Sequence, residues 1–196
     1  KTGDILLFDS GEKGILGFFS HIIKCLTNSN ISHVAMVLKD PTFIDSKLKG
    51  YYVWESNWEG TRDPQDGDVK LGVQLISFDD IYNNYKKTNS KIYCRRINCD
   101  PQCFSDEKLT EIHKIVYDKT YDIHPKDWIE ALWRKDSHPQ KTDRFWCSAL
   151  VGYIYTQCGL FPSTTDWSIL RPSDFSIQYN TIPFIDNYHL GDEEIL

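Results

Sequence analysis

The sequence predicts an α+β fold in which an antiparallel sheet or small open barrel packs against helices. Two observations carry this. Short apolar runs separated by turn signals crowd the first hundred residues, and apolar spacing near 3.6 residues takes over between about 105 and 158. No internal repeat of 20–50 residues interrupts that order. The run at 4–9 (D-I-L-L-F-D), after Gly3, reads as a buried strand, and residues 15–26 place their apolar side chains along one helical face. The run at 33–38 (H-V-A-M-V-L) is a strand stopped by Asp40-Pro41, with 51–56 (Y-Y-V-W-E-S) as its hairpin partner. Residues 73–76 and 92–97 (I-Y-C-R-R-I) read as further strands. A short helix at 78–85 lies between them, with Ser77 placed to cap it.

The second half turns helical. Ser105, followed by Asp106 and Glu107 in the first turn, starts a helix that runs to about 119. Further helices are expected at 127–133 and 147–158, the last stopped by Gly159. Pro162, Pro172 and Pro183 then punctuate a tail of loops and short strands. The polar segments 59–70 and 135–143 read as surface loops, of a length often used for functional rims.

A length of 196 residues is read as one domain, 1–196, and 40% hydrophobic with 26% charged residues excludes a disordered or fibrous chain. The balance of 22 Lys+Arg against 28 Asp+Glu leaves −6, the wrong sign for a protein that tracks a nucleic-acid backbone. No stretch reaches the roughly 18–20 apolar residues that span a bilayer, so no transmembrane segment is expected. Peripheral contact with a membrane surface stays open, as do compartment and oligomeric state. The sequence starts at Lys1 without a Met and without a basic stretch followed by an apolar one, so a segment is expected to have been removed and targeting is left unread. Six Cys are too few for a disulfide-dense scaffold. Cys94, Cys99 and Cys103 lie close together, but without a C-x-x-C pair they do not read as a zinc site, and no metal is expected. The redox state of these three, of Cys25 and of Cys158 is left open.

Three residues could carry chemistry. If the helix at 147 begins with Cys147, the positive end of its dipole favours a thiolate nucleophile, although a buried structural Cys beside two aromatics fits the same pattern. His33 heads a strand and has the proton affinity of an acid–base catalyst at neutral pH, though a structural His fits as well. Glu55 lies inside an apolar strand, so it either points to solvent or is held by a partner such as His33.

Taken in order, several segments resemble circularly permuted NlpC-type papain-like thiol hydrolases, the YiiX/YaeF-like group. They are Thr2-Gly3-Asp4-Ile5-Leu6-Leu7-Phe8, Ser32-His33-Val34-Ala35-Met36-Val37, Trp54-Glu55-Ser56, Gly72-Val73-Gln74, Tyr121-Asp122, Phe145-Trp146-Cys147-Ser148-Ala149-Leu150-Val151 and Arg171-Pro172-Ser173-Asp174-Phe175. The resemblance covers about 2–176, with a loop-rich tail beyond. It implies a permuted papain-like fold, with Cys147 as nucleophile, His33 as acid–base and Glu55 as the residue that orients His33. The Cys follows the His in the chain, the reverse of ordinary papain-like order, yet a triad is defined by its geometry. The implied activity is hydrolysis of an amide or ester bond in a peptide, lipid-like or small-molecule substrate through a thioester acyl-enzyme, with no cofactor. Thiol acyltransferases resembling lecithin:retinol acyltransferase share the arrangement, and a silent lipid- or peptide-binding module is a third reading. Trp58, Trp146 and Ser148 are expected to line the substrate cleft, and Asp4 is expected to be a structural hydrogen-bonder.

Overall fold

Apolar side chains alternate along the first strands, and the alternation sorts them onto two sheet faces, each needing its own cover. The computed structural model describes residues 1–9, 29–58, 60–87, 90–121, 142 and 144–196. Its strands are β1 (Ile5–Asp9), β2 (His33–Lys39), β3 (Tyr51–Asn57), β4 (Gly72–Ser77), β5 (Lys91–Asn98), β6 (Thr120–Tyr121), β7 (Arg144–Phe145) and β8 (His189–Ile195). They form an 8-stranded sheet in the order β7-β6-β4-β3-β2-β1-β5-β8. The helices are α1 (Phe78–Lys86), α2 (Asp106–Val116) and α3 (Cys147–Gln157). The class is α+β, as expected.

On one face Ile5, Leu7, Val34, Met36, Leu38, Trp54, Val73 and Leu75 form a core with Leu109 and Ile112 of α2 and with Leu150, Val151 and Ile154 of α3. On the other face Leu6, Phe8, Ala35, Val37, Val53 and Ile76 pack against Ile81 and Tyr85 of α1. α3 is buried nearly all round, which explains why its sequence is apolar with little periodicity.

Three details differ from expectation. The sheet is mixed, because β6 and β7 pair in parallel. Parallel neighbours need a long connection, and the chain supplies one between residues 121 and 144. The tail is less loop-like than expected, since β8 pairs antiparallel with β5 along the sheet edge. Its sequence, H-L-G-D-E-E-I, lacks apolar alternation because only Leu190 is buried, as suits an edge strand. Buried Arg95 of β5 holds that tail, donating to the carbonyls of Phe175, Leu190 and Gly191 and to Asn180 Oδ1. Ser77 precedes α1 but makes no side-chain capping bond, whereas Ser105 caps α2 through the amide of Lys108. The helices expected at 15–26 and 127–133, most of the segment 135–143, and Cys25 lie outside the described residues.

Candidate functional site

β2 begins where Ser32 bonds the Phe8 carbonyl of β1 through both its amide and its hydroxyl, at 3.0 and 3.3 Å. That fixes His33 at the head of the strand. In the β2–β3 ladder Met36 faces Trp54, so one step further along β3 Glu55 lies across from Ala35, two residues from His33 on the same face. Diagonal neighbours of this kind are within reach of long side chains. The far end of β3 is tied to α3, because Ser56 Oγ donates to the Phe145 carbonyl at 2.6 Å, two residues before Cys147. Ser148 Oγ pins the first helical turn from the other side by donating to the Leu170 carbonyl at 2.7 Å.

These ties gather the three polar side chains singled out in the sequence. His33 Nε2 lies 2.7 Å from Glu55 Oε2, and the His33 ring also hydrogen-bonds Cys147. With Nε2 committed to the carboxylate, Nδ1 is the nitrogen left for the sulfur. Glu55 is 0% exposed, so the solvent-facing alternative does not hold. Its other oxygen, Oε1, accepts from Gln74 Nε2 at 3.1 Å. The Phe8 ring lies 5.1 Å from that of His33, centroid to centroid, and closes one side.

The electrostatics follow from this geometry. Burial disfavours a charged imidazole, but hydrogen bonds and charge interactions from Cys147 and Glu55 outweigh it and raise the His33 pKa well above 6.5. The arrangement therefore favours a charged imidazole between Cys147 and Glu55. α3 starts at Cys147 with no side-chain cap and no acidic residue in its first turn, so the positive end of its dipole is not neutralised locally. The Cys147, Ser148 and Ala149 amides precede the first helical hydrogen bond, Leu150 N to Trp146 O.

Of the three residues expected to contact substrate, Trp58 is 47% exposed and follows the last β3 ladder residue, Asn57. Leu71, just before Gly72 on the paired strand, is likewise exposed. Trp146 is partly buried against the main core at the N-cap of α3. Ser148 is buried with its hydroxyl spent on Leu170, so any role in binding falls to its backbone. Asp4 is structural, as expected: its Oδ1 accepts the amide of Ile97 at 3.0 Å.

Sequence reasoning missed the interior of the segment 59–70. Expected as a surface loop, this stretch buries Asp63 and Lys70. Asp63 accepts the Leu75 and Gln65 amides and pairs with Lys70 at 3.2 Å, and Lys70 also pairs with Asp66. The loop is joined to α2 and the residue after it, His113 Nε2 lying 2.8 Å from Gln65 Oε1 and Tyr117 donating to Asp66. Gln74 was quoted only within a longer segment. An amide inside the apolar run V-Q-L-I, at a position facing Glu55, was the available signal.

Cys94, Cys99, Cys103 and Cys158 are free thiols, and none of them is among the groups that act on His33. Burial pushes Cys99 up to about 11 and Cys158 up to about 12, which disfavours either as a nucleophile at neutral pH. Among the described residues no three His, Cys, Asp or Glu are grouped to hold a metal ion, and no helix is long and apolar enough to cross a membrane.

No family model and no curated protein matches the chain. Among solved structures it is similar to one described as metalloprotein YiiX from Escherichia coli O157:H7. The TM-score is 0.52 at 16% identity, over 100% of this chain and 96% of that one. The two share a fold.

Proposed function

We propose that the chain is a permuted NlpC-type papain-like cysteine hydrolase of amide or ester bonds, with Cys147 as nucleophile, His33 as acid–base and Glu55 as the group that orients it. One observation carries the reading: buried His33 has a carboxylate on Nε2 and, as its other side-chain partner, a cysteine at a helix N-terminus. The Cys147 thiolate attacks the substrate carbonyl carbon, and the oxyanion that forms is met by backbone amides at the start of α3. The His33 imidazolium gives its proton to the leaving amine or alcohol as the tetrahedral intermediate collapses to a thioester. Neutral His33 then takes a proton from water, hydroxide adds to the thioester, and Cys147 leaves to restore the pair. Glu55 holds the ring through Nε2 throughout and stabilises each imidazolium.

The YiiX structure is described as that of a metalloprotein. The donor set His33, Glu55 and Cys147 is engaged with itself, and the described residues hold no other grouped ligands. No step above is routed through a metal. Trp58 and Leu71, exposed beyond the β3–β4 ladder, supply an apolar wall for the substrate.

The reading is tested by labelling with a chloroacetamide followed by peptide mapping. Cys147 is expected to react fastest, and His33→Ala to slow it; equal reactivity at every cysteine would overturn the assignment. Incubation with acyl lipids and with cell-wall-type peptides then identifies the bond. Product with water as sole acceptor supports a hydrolase, product only with an added amine or alcohol a transferase, and binding without turnover a silent module.

A further inference from the structure

We propose that Gln74 is a positioning residue of this site: its amide fixes the Glu55 carboxylate in the orientation that grips His33, and through His33 it sustains the Cys147 thiolate. The proposal deepens the functional reading above and rests on it. Gln74 lies in the middle of β4, fully buried, and the β3–β4 register sets it directly opposite Glu55. Gln74 Nε2 donates to Oε1 of that carboxylate at 3.1 Å, while Oε2 receives His33 Nε2 at 2.7 Å. Each carboxylate oxygen thus has one donor, from a different strand. The terminal torsion of Glu is broad when nothing holds it, so losing the amide frees the carboxylate to turn away from the ring.

A second observation separates this role from packing. Gln74 Oε1 is buried and finds no hydrogen-bond partner among the described residues. A bare buried carbonyl oxygen lowers stability, and an apolar side chain of similar size would remove that cost. The favourable polar contact of the Gln74 side chain is the one to Glu55. It is also chemically selective, because an N–H donor suits a charged carboxylate and a second acceptor would oppose it. The titratable groups facing His33 are Glu55 from β3 and Cys147 from α3, so an effect at Gln74 reaches the sulfur through this chain.

The test compares the full-length chain with Gln74→Leu. It reads thermal midpoint, the pH dependence of Cys147 alkylation by iodoacetamide, and the ring-nitrogen NMR shifts of His33. The midpoint is expected to change little, since the cost of the unpaired Gln74 oxygen is gone while Glu55 Oε1 loses its donor. Alkylation at neutral pH is expected to slow by roughly two- to tenfold, the effect of one lost hydrogen bond that acts through Glu55 and less than removal of the carboxylate charge itself. His33 should lose its proton at lower pH than in the parent. A second variant, Gln74→Glu, keeps the shape but sets two carboxyl groups together. It should be slow at neutral pH and recover as acid supplies a proton to bridge them. Alkylation and His33 titration unchanged in Gln74→Leu would overturn the proposal, and so would a slowing that merely follows a fall in thermal midpoint. Failure of the underlying reading looks different, because Cys147 would then show no excess reactivity in the parent chain.

Discussion

Replacing Glu55 by Gln separates the electrostatic role of this residue from its place in the core. The side chain is fully buried and makes two hydrogen bonds, to His33 and to Gln74. A Gln at 55 can still accept from His33 Nε2, but its amide nitrogen then faces the amide nitrogen of Gln74. That clash has a local remedy: Gln74 can turn over and accept through Oε1, which has no partner among the described residues. Both hydrogen bonds survive, so the folded state should lose little, within about 1 kcal/mol. What disappears is the negative charge beside the imidazolium. Hydrogen bonds to charged groups contribute about 1.5–3 kcal/mol against about 0.5–1.5 for neutral ones, so the charged His33 loses about 1–2 kcal/mol of support. Through the pair this becomes roughly a five- to thirtyfold slower alkylation of Cys147 at neutral pH. The assay is the second-order rate of Cys147 alkylation by iodoacetamide across pH, with thermal unfolding on the same samples. Slower alkylation with a near-parental midpoint is the expected result. Unchanged alkylation would refute the claim that Glu55 acts through His33, and a parallel collapse of rate and midpoint would reduce Glu55 to a core residue. The sign for stability follows the same group. Because the His33 pKa is raised, its contribution is complete below about pH 6.5 and is lost as pH rises through the folded-state value, and Glu55→Gln should flatten that alkaline loss.

Arg95→Ala removes the donor for the carbonyls of Phe175, Leu190 and Gly191 and should cost about 3–5 kcal/mol, read as a lower urea midpoint, with Cys147 alkylation retained in the folded fraction. Gly72→Ala places a Cβ 2.2 Å from the Lys119 carbonyl oxygen at φ +146°, so β4 and β6 must separate, and thermal unfolding should show a loss of at least about 2 kcal/mol. Lys70→Met leaves buried Asp63 without its cation and should cost about 1–3 kcal/mol at neutral pH in chemical denaturation. Burial works against the Asp66 carboxylate, but Lys70 outweighs it and lowers the Asp66 pKa, so that stabilisation holds above the ordinary carboxylate range and is lost as pH falls through the folded-state value. The Lys70→Met deficit should therefore shrink in acid.

The strands at the centre were legible because both faces are buried. β1, β2 and β3 must supply apolar side chains to two cores, and such runs stand out beside Asp40-Pro41 and Gly50. His33 and Glu55 were legible as anomalies, polar residues in those runs, and the observed register supplies the reason they meet. β8 was not legible, since an edge strand secured by a neighbour's backbone and by Arg95 needs no apolar pattern of its own. The segment 59–70 misled for a related reason. Charge composition does not distinguish a solvated Asp or Lys from a paired one, and Asp63 with Lys70 is paired and buried. Arg95 and Arg96 are adjacent and alike in sequence, yet alternation along β5 sends the first inward and the second outward.

The same alternation makes the candidate site a test of register. Gln74, Glu55, His33 and Cys147 come from β4, β3, β2 and α3, and each link depends on the pairing of two elements. A slip of one residue between β2 and β3 would turn Glu55 to the face now held by Trp54 and bury an unpaired carboxylate in the main core. The apolar residues flanking Glu55 and His33 oppose that slip on both faces, so the interactions that hold the sheet also bring the carboxylate to the imidazole. Correct packing of Val53, Trp54, Val34 and Met36 sets Glu55 and His33 on one face, the Gln74 amide on the next strand reaches the carboxylate, and the Ser56 bond to the Phe145 carbonyl brings the start of α3 to meet them.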